Sequence, residues 1–198
     1  MLRRFIARTF WRLSRWNLSP WPKPERPTVF VGAPHTSNWD FVLMLATTWA
    51  LGIDFRWLGK DSLFRGPIGF LTRATGGIPV NRDNPDGVVE AVVEQVRRGE
   101  VFGLVVAPDG TRGGNTHWKS GFYRIARATG LPVTLCYIDR TTMTAGLGPQ
   151  YELTGDVHAD MEHIREFYSD KAGFRPEKRG VPRLRHEPKG IDGPGQGG

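Results

Sequence analysis

His35 and Asp40 are the first residues whose types and spacing could do chemistry, in the run Gly32-Ala-Pro-His35-Thr-Ser37-Asn-Trp-Asp40. A carboxylate that folds back onto one imidazole nitrogen fixes the tautomer, so that the other nitrogen can take a proton from an attacking hydroxyl. This is the orienting half of a catalytic triad, with the nucleophile supplied by a second molecule. In a chain with five histidines and 20 acidic residues, such a spacing also arises readily by chance. A second constellation is Pro108-Asp109-Gly110-Thr111-Arg112-Gly113-Gly114. Glycines expose backbone N–H groups and a guanidinium can hold a phosphate with two hydrogen bonds, so the loop suits an anionic ligand. The competing reading is a solvated Asp-Gly turn.

Other candidates carry less. Lys119 and Arg124 stand five residues apart near an expected helix start, where they either extend an anion patch or lie on a solvated face. His117, His158, His163 and His186 have no partner spacing that argues for catalysis. The single cysteine, Cys136, excludes an intramolecular disulfide and lies in the apolar run Pro132–Ile138, where a small core side chain is the simpler reading. No metal-ligand spacing and no P-loop is present, so no metal and no bound cofactor is expected.

Both constellations sit where strands end. Strand-like Thr28–Ala33 runs into the His35 loop, and Ser37 with Asp40 has the spacing of a capping box opening the helix-like segment Asn38–Leu51. Strand-like Ile53–Leu58, an interrupted helix over Ser62–Thr75 and a short strand Ile78–Val80 follow. A helix over Pro85–Arg98, a strand over Val101–Ala107, a helix over Ser120–Thr129 and a strand over Pro132–Ile138 complete the series. The alternation predicts an α/β fold: a single domain with a largely parallel mixed sheet flanked by helices and an N-terminal amphipathic helix.

The formal charge of +7 is concentrated at the ends. Residues 1–27 carry seven basic side chains against Glu25 alone, and residues 171–198 carry seven against three acids, so the stretch 28–170 between them is mildly acidic. That distribution argues against a nucleic-acid partner for the folded body. Residues 1–27 read as a basic amphipathic helix and a Pro-rich linker. Arg4, Arg8, Arg12 and Arg15 fall largely away from Leu2, Phe5, Ile6, Leu13 and Trp16, an arrangement suited to the headgroup region of an anionic membrane. The competing reading packs the helix on the domain with its arginines in water. No run approaches the ~18 consecutive apolar residues of a spanning helix. Residues 171–198, rich in Gly, Pro and charge, are expected to form a disordered basic tail, leaving 28–170 as the catalytic domain.

Taken in order, the motifs resemble the glycerophospholipid acyltransferase family, whose best-known members are the 1-acylglycerol-3-phosphate acyltransferases. The first block resembles His35-Thr-Ser37-Asn-Trp-Asp40, the second Gly77-Ile-Pro-Val-Asn-Arg82, the third Pro108-Asp109-Gly110-Thr111-Arg112-Gly113, and the fourth Leu131-Pro-Val133. Lys60-Asp-Ser-Leu-Phe64 with Pro67 and Gly69 is similar to the pattern between the first two. Asp109 stands where the family usually has glutamate and Gly113 where it has serine; Trp118–Tyr123 looks like a smaller bacterial branch. The resemblance spans roughly residues 28–140. It implies a general base His35 oriented by Asp40, a phosphate clamp of Arg82 and Arg112, a loop shaped by Gly110 and Thr111, and substrate binding by these four residues together with Asp109. It further implies transfer of a fatty acyl group from acyl-CoA or acyl-carrier protein, as co-substrate, to a lysophospholipid such as 1-acylglycerol 3-phosphate. Such an enzyme is expected to be peripheral on the cytoplasmic face of the cell membrane. Glycerol 3-phosphate, a glycolipid or an amino-lipid are the alternative acceptors, and a non-catalytic basic membrane- or nucleic-acid-binding protein is the alternative outside the enzyme class.

Overall fold

Alternation of apolar strands with amphipathic helices condenses, in the computed structural model, into one seven-stranded sheet; the structure describes residues 1–80, 85–100, 102–110 and 117–187. In chain order the strands are β1 (Asn17–Leu18), β2 (Thr28–Ala33), β3 (Arg56–Lys60), β4 (Gly77–Val80), β5 (Gly103–Val106), β6 (Val133–Asp139) and β7 (Thr144–Tyr151). Their spatial order is β1-β7-β6-β2-β5-β3-β4, and every pairing is parallel except β6 with β7. The helices are α1 (Leu2–Leu13), α2 (Trp39–Leu51), α3 (Ile68–Ala74), α4 (Pro85–Arg97), α5 (Gly121–Thr129) and α6 (Val157–Tyr168), with short 3-10 turns at Asp61–Phe64 and Pro176–Lys178.

β2 is central because both its faces are apolar, as a parallel strand covered on two sides requires. Val29, Val31 and Ala33 point into a core shared with α4, α5 and α6, where Val92, Phe122, Ile125, Met161 and Ile164 are buried. Phe30 points the other way, into a second core with Trp57, Phe64 and Leu147, closed by Phe41, Met44 and Leu45 of α2. Both cores meet at β2, so the residues after Ala33 emerge from a strand anchored on each side.

β7 and α6 lie beyond the alternation read from the sequence. β7 (Thr-Ala-Gly-Leu-Gly-Pro-Gln-Tyr) contains two glycines and a proline, which dilute any strand signal. At Gly148 a Cβ would meet the Phe167 ring at 2.4 Å, so the close approach of α6 to β7 requires glycine there. α6 is capped by Asp156, whose side chain accepts from the His158 and Ala159 N–H groups. It turns Asp160 into the protein, where one carboxylate accepts from the Tyr123 hydroxyl (2.7 Å), the Tyr151 hydroxyl (2.9 Å), the Thr154 hydroxyl (2.8 Å) and the N–H groups of Thr154 and Gly155.

Burial pushes the Asp160 carboxyl up, but these donors outweigh it and hold the pKa below the usual carboxylate range. The Tyr151 hydroxyl, pushed by burial and by the same carboxylate, rises to about 12. A carboxylate with a lowered folded-state pKa stabilises the fold fully above its unfolded value near 3.9, and the contribution is lost as pH falls through the folded value. Asp160→Ala leaves several donors without an acceptor and is expected to cost about 3 kcal/mol or more at pH 7. Urea unfolding of both proteins checks this: the gap should narrow in acid, and equal midpoints at pH 7 would refute it.

Residues 171–187 correct the expectation of a disordered tail beginning at 171. They form a strap over the carboxyl end of the sheet. The Ala172 N–H donates to Asp139 Oδ1 and the Gly173 N–H to the Ile138 carbonyl, which ties the strap to the end of β6. Leu184 is buried and bridges to Trp118, and Glu187 pairs with Arg165 of α6 at 2.6 Å. The composition is that of a tail, but a few anchors (Gly173, Phe174, Leu184, Glu187) bury enough to hold it. Residues 188–198 lie outside the described residues.

Candidate active site

The sheet delivers β2, β3 and β5 to the same edge, the carboxyl edge where ligands of open parallel sheets bind. β2 ends at Ala33, a cis peptide joins it to Pro34, and His35 follows. α2 then begins at Trp39 after Asn38 at the cap position. The capping box expected at Ser37 is present in modified form. Ser37 Oγ accepts from the Trp39 N–H at 3.2 Å, while Asp40 reaches back to accept from the Ser37 N–H at 2.8 Å and the Thr36 N–H at 2.7 Å.

The oxygen that takes those two N–H groups, Asp40 Oδ2, also lies 3.2 Å from His35 Nδ1. Asp40 is buried and His35 is 23% exposed. One carboxylate oxygen thus holds both the loop backbone and the imidazole, so loop shape and ring orientation are set together. Asp40 Oδ1 has no hydrogen-bond partner among the described residues. With Nδ1 turned to Asp40, the imidazole leaves Nε2 as the nitrogen that can serve a hydroxyl.

A second carboxylate braces the same histidine. Asp109 Oδ2 accepts from the His35 main-chain N–H at 2.5 Å, across 74 residues of sequence. Burial pushes the Asp109 carboxyl above the usual carboxylate range. The His35 N–H, the nearby imidazole and the Trp118 indole pull it back, and the Asp40 charge pushes it up again. The Trp118 N–H influences Asp109 without reaching full hydrogen-bond geometry. The turn behind Asp109 is closed by Gly110, whose φ of +75° lies in the left-handed region that favours glycine. Of the residues expected at the site, His35, Asp40, Asp109 and Gly110 come together; Arg82, Thr111 and Arg112 lie outside the described residues.

The strap supplies what sequence reasoning missed. The Arg175 main-chain N–H donates to Thr36 Oγ1 at 2.9 Å, and Gly173 packs against Pro34 and Thr36, so the His35–Asp40 loop is held from outside the 28–170 segment. Phe174 stacks on Trp39 at the start of α2 and on Trp16 of the N-terminal segment. The only forward signal was an apolar residue beside glycine in an otherwise polar stretch.

His35 and Asp40 line a cavity of about 1550 Å³. Its apolar wall includes Phe30, Phe41, Met44, Trp57 and Leu147, and its polar rim includes Lys60, Gly110 and Lys119. Gly32 widens it: a Cβ there would meet nothing nearer than the Val106 carbonyl oxygen at 3.9 Å. Val80 also lines the cavity; it and Gly110 are the last described residues before Arg82 and Thr111 in the chain. Arg124, which could have extended an anion patch, is paired with Asp86 at 2.6 Å. Among the described residues no three His, Cys, Asp or Glu side chains cluster as a metal site would require.

A histidine held by a carboxylate at the carboxyl edge of a parallel sheet, opening into an apolar cavity, has the groups to exchange a proton beside an apolar chain. The sequence model of the Acyltransferase family matches residues 17–139, and the chain belongs to that family. Among solved structures it is similar to the 1-acyl-sn-glycerophosphate (LPA) acyltransferase PlsC from Thermotoga maritima. The two share 15% identity with a TM-score of 0.58, over 85% of this chain and 74% of that one. A comparison with curated protein sequences finds no match. At that identity the structural likeness establishes the fold, an α/β domain with a mostly parallel sheet.

Proposed function

We propose that this acyltransferase moves a fatty acyl group from an acyl thioester to a hydroxyl of a lysophospholipid such as 1-acylglycerol 3-phosphate, in phospholipid biosynthesis or remodelling. The observation that carries this reading is the 3.2 Å approach of His35 Nδ1 to Asp40 in the wall of a largely apolar cavity. His35 Nε2 accepts the acceptor's hydroxyl proton as the oxygen attacks the thioester carbonyl; the C–S bond then breaks and the imidazolium returns the proton to the leaving thiolate. Asp40 stabilises the imidazolium formed in between. Arg82 and Arg112, with Thr111, follow the two cavity-wall segments at Val80 and Gly110 and are assigned to the acceptor phosphate. Asp109, whose carboxylate accepts from the His35 main-chain N–H, is assigned to positioning the His35 backbone as well as to the substrate-binding loop. Incubation of the purified chain with radiolabelled palmitoyl-CoA and a panel of lysophosphatidic acid, glycerol 3-phosphate, a glycolipid and an amino-lipid tests the reading. Labelled phosphatidic acid is expected; transfer to none of the phosphorylated acceptors would overturn it.

The enzyme works at an anionic membrane surface, peripheral on the cytoplasmic face, held by residues 1–27. Supporting this, α1 packs inward through Ala7, Trp11 and arginine guanidinium groups: Arg3 donates to the Ala74 carbonyl, Arg4 lies against Gly52, and Trp11 donates to the Ala46 carbonyl. Its apolar residues face out, with Leu2 71% and Phe5 68% exposed. α3, joined to α1 at Ala74, adds Phe70 at 80% and Leu71 at 61%. Such a set suits the headgroup–acyl boundary. No helix among the described residues is long and apolar enough to cross a membrane. Phe5→Glu/Phe70→Glu is expected to reduce sedimentation with phosphatidylglycerol vesicles about tenfold or more, from the lost apolar burial of two rings; unchanged sedimentation would sink the surface assignment.

A further inference from the structure

Trp118 and Leu184 form an isolated parallel bridge, in which the Trp118 N–H donates to the Arg183 carbonyl at 2.7 Å. Both side chains point into the core and are buried. Extended chain alternates, so the residues on either side point the other way. On one side of the bridge these are His117 and Lys119; on the other, Arg183 and Arg185. Lys119, Arg183 and Arg185 are exposed, and neither arginine has an acidic partner among the described residues. The nearest acid in the strap, Glu187, is committed to Arg165 and to the Leu184 N–H. A positive surface is therefore built from two segments 66 residues apart in sequence, and the family match at residues 17–139 does not reach the strap that supplies half of it.

This surface adjoins the catalytic site. The Lys119 N–H donates to the Pro108 carbonyl, next to the Asp109 that braces His35. Lys119, Arg185 and His186 also line the cavity that His35 lines. The stems emerge from a small area: neighbouring strands lie about 5 Å apart, and residues two apart along a strand roughly 7 Å. A cluster of that size matches a few phosphate groups rather than a protein docking face of about 800 Å². The acceptor's single phosphate is already assigned to the other loops, and the remaining substrate of the proposed reaction is the thioester donor.

We propose that Lys119, Arg183 and Arg185, with His117 beside them, form the binding site for the nucleotide phosphates of a coenzyme A thioester, which fixes the donor as acyl-CoA. The inference rests on the acyltransfer reading above. The patch holds the diphosphate and ribose phosphate at the cavity rim while the pantetheine arm carries the thioester inward to His35. Arg183 and Arg185, with no acid to neutralise them among the described residues, would otherwise be an unbalanced positive field beside the site.

Two measurements on the full chain test it. Calorimetric titration with coenzyme A and, separately, with pantetheine compares wild type with Arg183→Gln/Arg185→Gln and with the charge-preserving Arg183→Lys/Arg185→Lys. Binding of coenzyme A is expected to weaken by about tenfold or more in the glutamine variant and to be largely restored in the lysine variant, while pantetheine, which has no phosphate, is unaffected. In turnover, KM for palmitoyl-CoA should rise by about the same factor, with kcat and the KM for palmitoyl-pantetheine and for the acceptor unchanged. Coenzyme A binding that ignores the substitutions, an equal loss for pantetheine, or donation by an acyl-carrier protein but not by palmitoyl-CoA would overturn the proposal. Arginine-dependent coenzyme A binding with no transfer to any acceptor would leave the phosphate site standing and remove the acyltransfer reading instead.

Discussion

His35→Ala is expected to lower kcat by about 10²–10⁴-fold, the usual contribution of a positioned general base, with little change in the KM of either substrate. The imidazole is held at Nδ1 by Asp40 in the wall of the cavity, which leaves Nε2 as its proton-accepting atom. Its removal should not unfold the loop, because Asp40 Oδ2 keeps the Thr36 and Ser37 N–H groups and Asp109 keeps the main-chain N–H of residue 35. Steady-state kinetics with palmitoyl-CoA and lysophosphatidic acid, beside a thermal melt, check both halves. Turnover within a few-fold of wild type would mean that the chemistry is done elsewhere or that the chain only binds lipid.

Asp40→Asn should cost about 10³-fold in kcat while leaving the fold intact. An amide oxygen can still accept from the Thr36 and Ser37 N–H groups, so the loop retains its shape. What it cannot do is accept the Nδ1–H hydrogen bond as an anion and so stabilise the imidazolium. The oxygen that keeps these two N–H groups is also the atom facing Nδ1, so the amide offers the imidazole a neutral acceptor and the imidazolium loses its counter-charge. Asp40→Ala separates orientation from architecture: it leaves two backbone donors without an acceptor and should lose stability by about 1–3 kcal/mol for each in urea unfolding. Wild-type turnover in the asparagine variant would remove Asp40 from the mechanism; equal stability of the alanine variant would remove it from the architecture.

These two substitutions probe a pair that the sequence alone made visible but did not distinguish from coincidence. The spacing put Asp40 in the first turn of a helix, and a side chain there can only fold back over the residues before it, so its approach to His35 is a local consequence of where α2 starts. The helix start was legible because Ser37 and Asp40 carry capping chemistry and a long apolar helix follows. The strands β2, β5 and β6 were legible for a related reason: parallel strands buried on both faces are continuous apolar runs, and their ends differ from the expected bounds by no more than two residues. β3 moved further, from Ile53–Leu58 to Arg56–Lys60. Ile53 and Phe55 are apolar because they enter the core beside the sheet, and apolarity does not separate that from a strand.

α1 shows how a pattern can be read correctly and oriented only in three dimensions. The separation of arginines from apolar residues is plain in the sequence, and an amphipathic helix is ordinarily docked by its apolar side. Here the guanidinium groups of Arg3 and Arg4, Ala7 and Trp11 make the protein contacts, and Leu2, Phe5 and Leu13 face outward. Which side meets the protein depends on what α2 and α3 offer. They offer carbonyl oxygens at Ala46 and Ala74 and the face of Trp49, which suit N–H donors and a cation better than an apolar side chain.

By itself the sequence determined the α/β class and the order of elements from β2 to β6, and it made the His35–Asp40 pair and the loop that carries Asp109 visible, because each is written in periodicity or in spacing over a few residues. Only the tertiary structure decided that Asp109 braces the His35 backbone across 74 residues, that Arg175 holds Thr36 across 139, and that Arg183 and Arg185 stand beside Lys119. Such pairings are made by backbone groups and exposed charges, which leave no periodic trace. They exist because the sheet brings several strand ends to one edge and because Phe174, Leu184 and Glu187 bury enough of a polar segment to fasten it there.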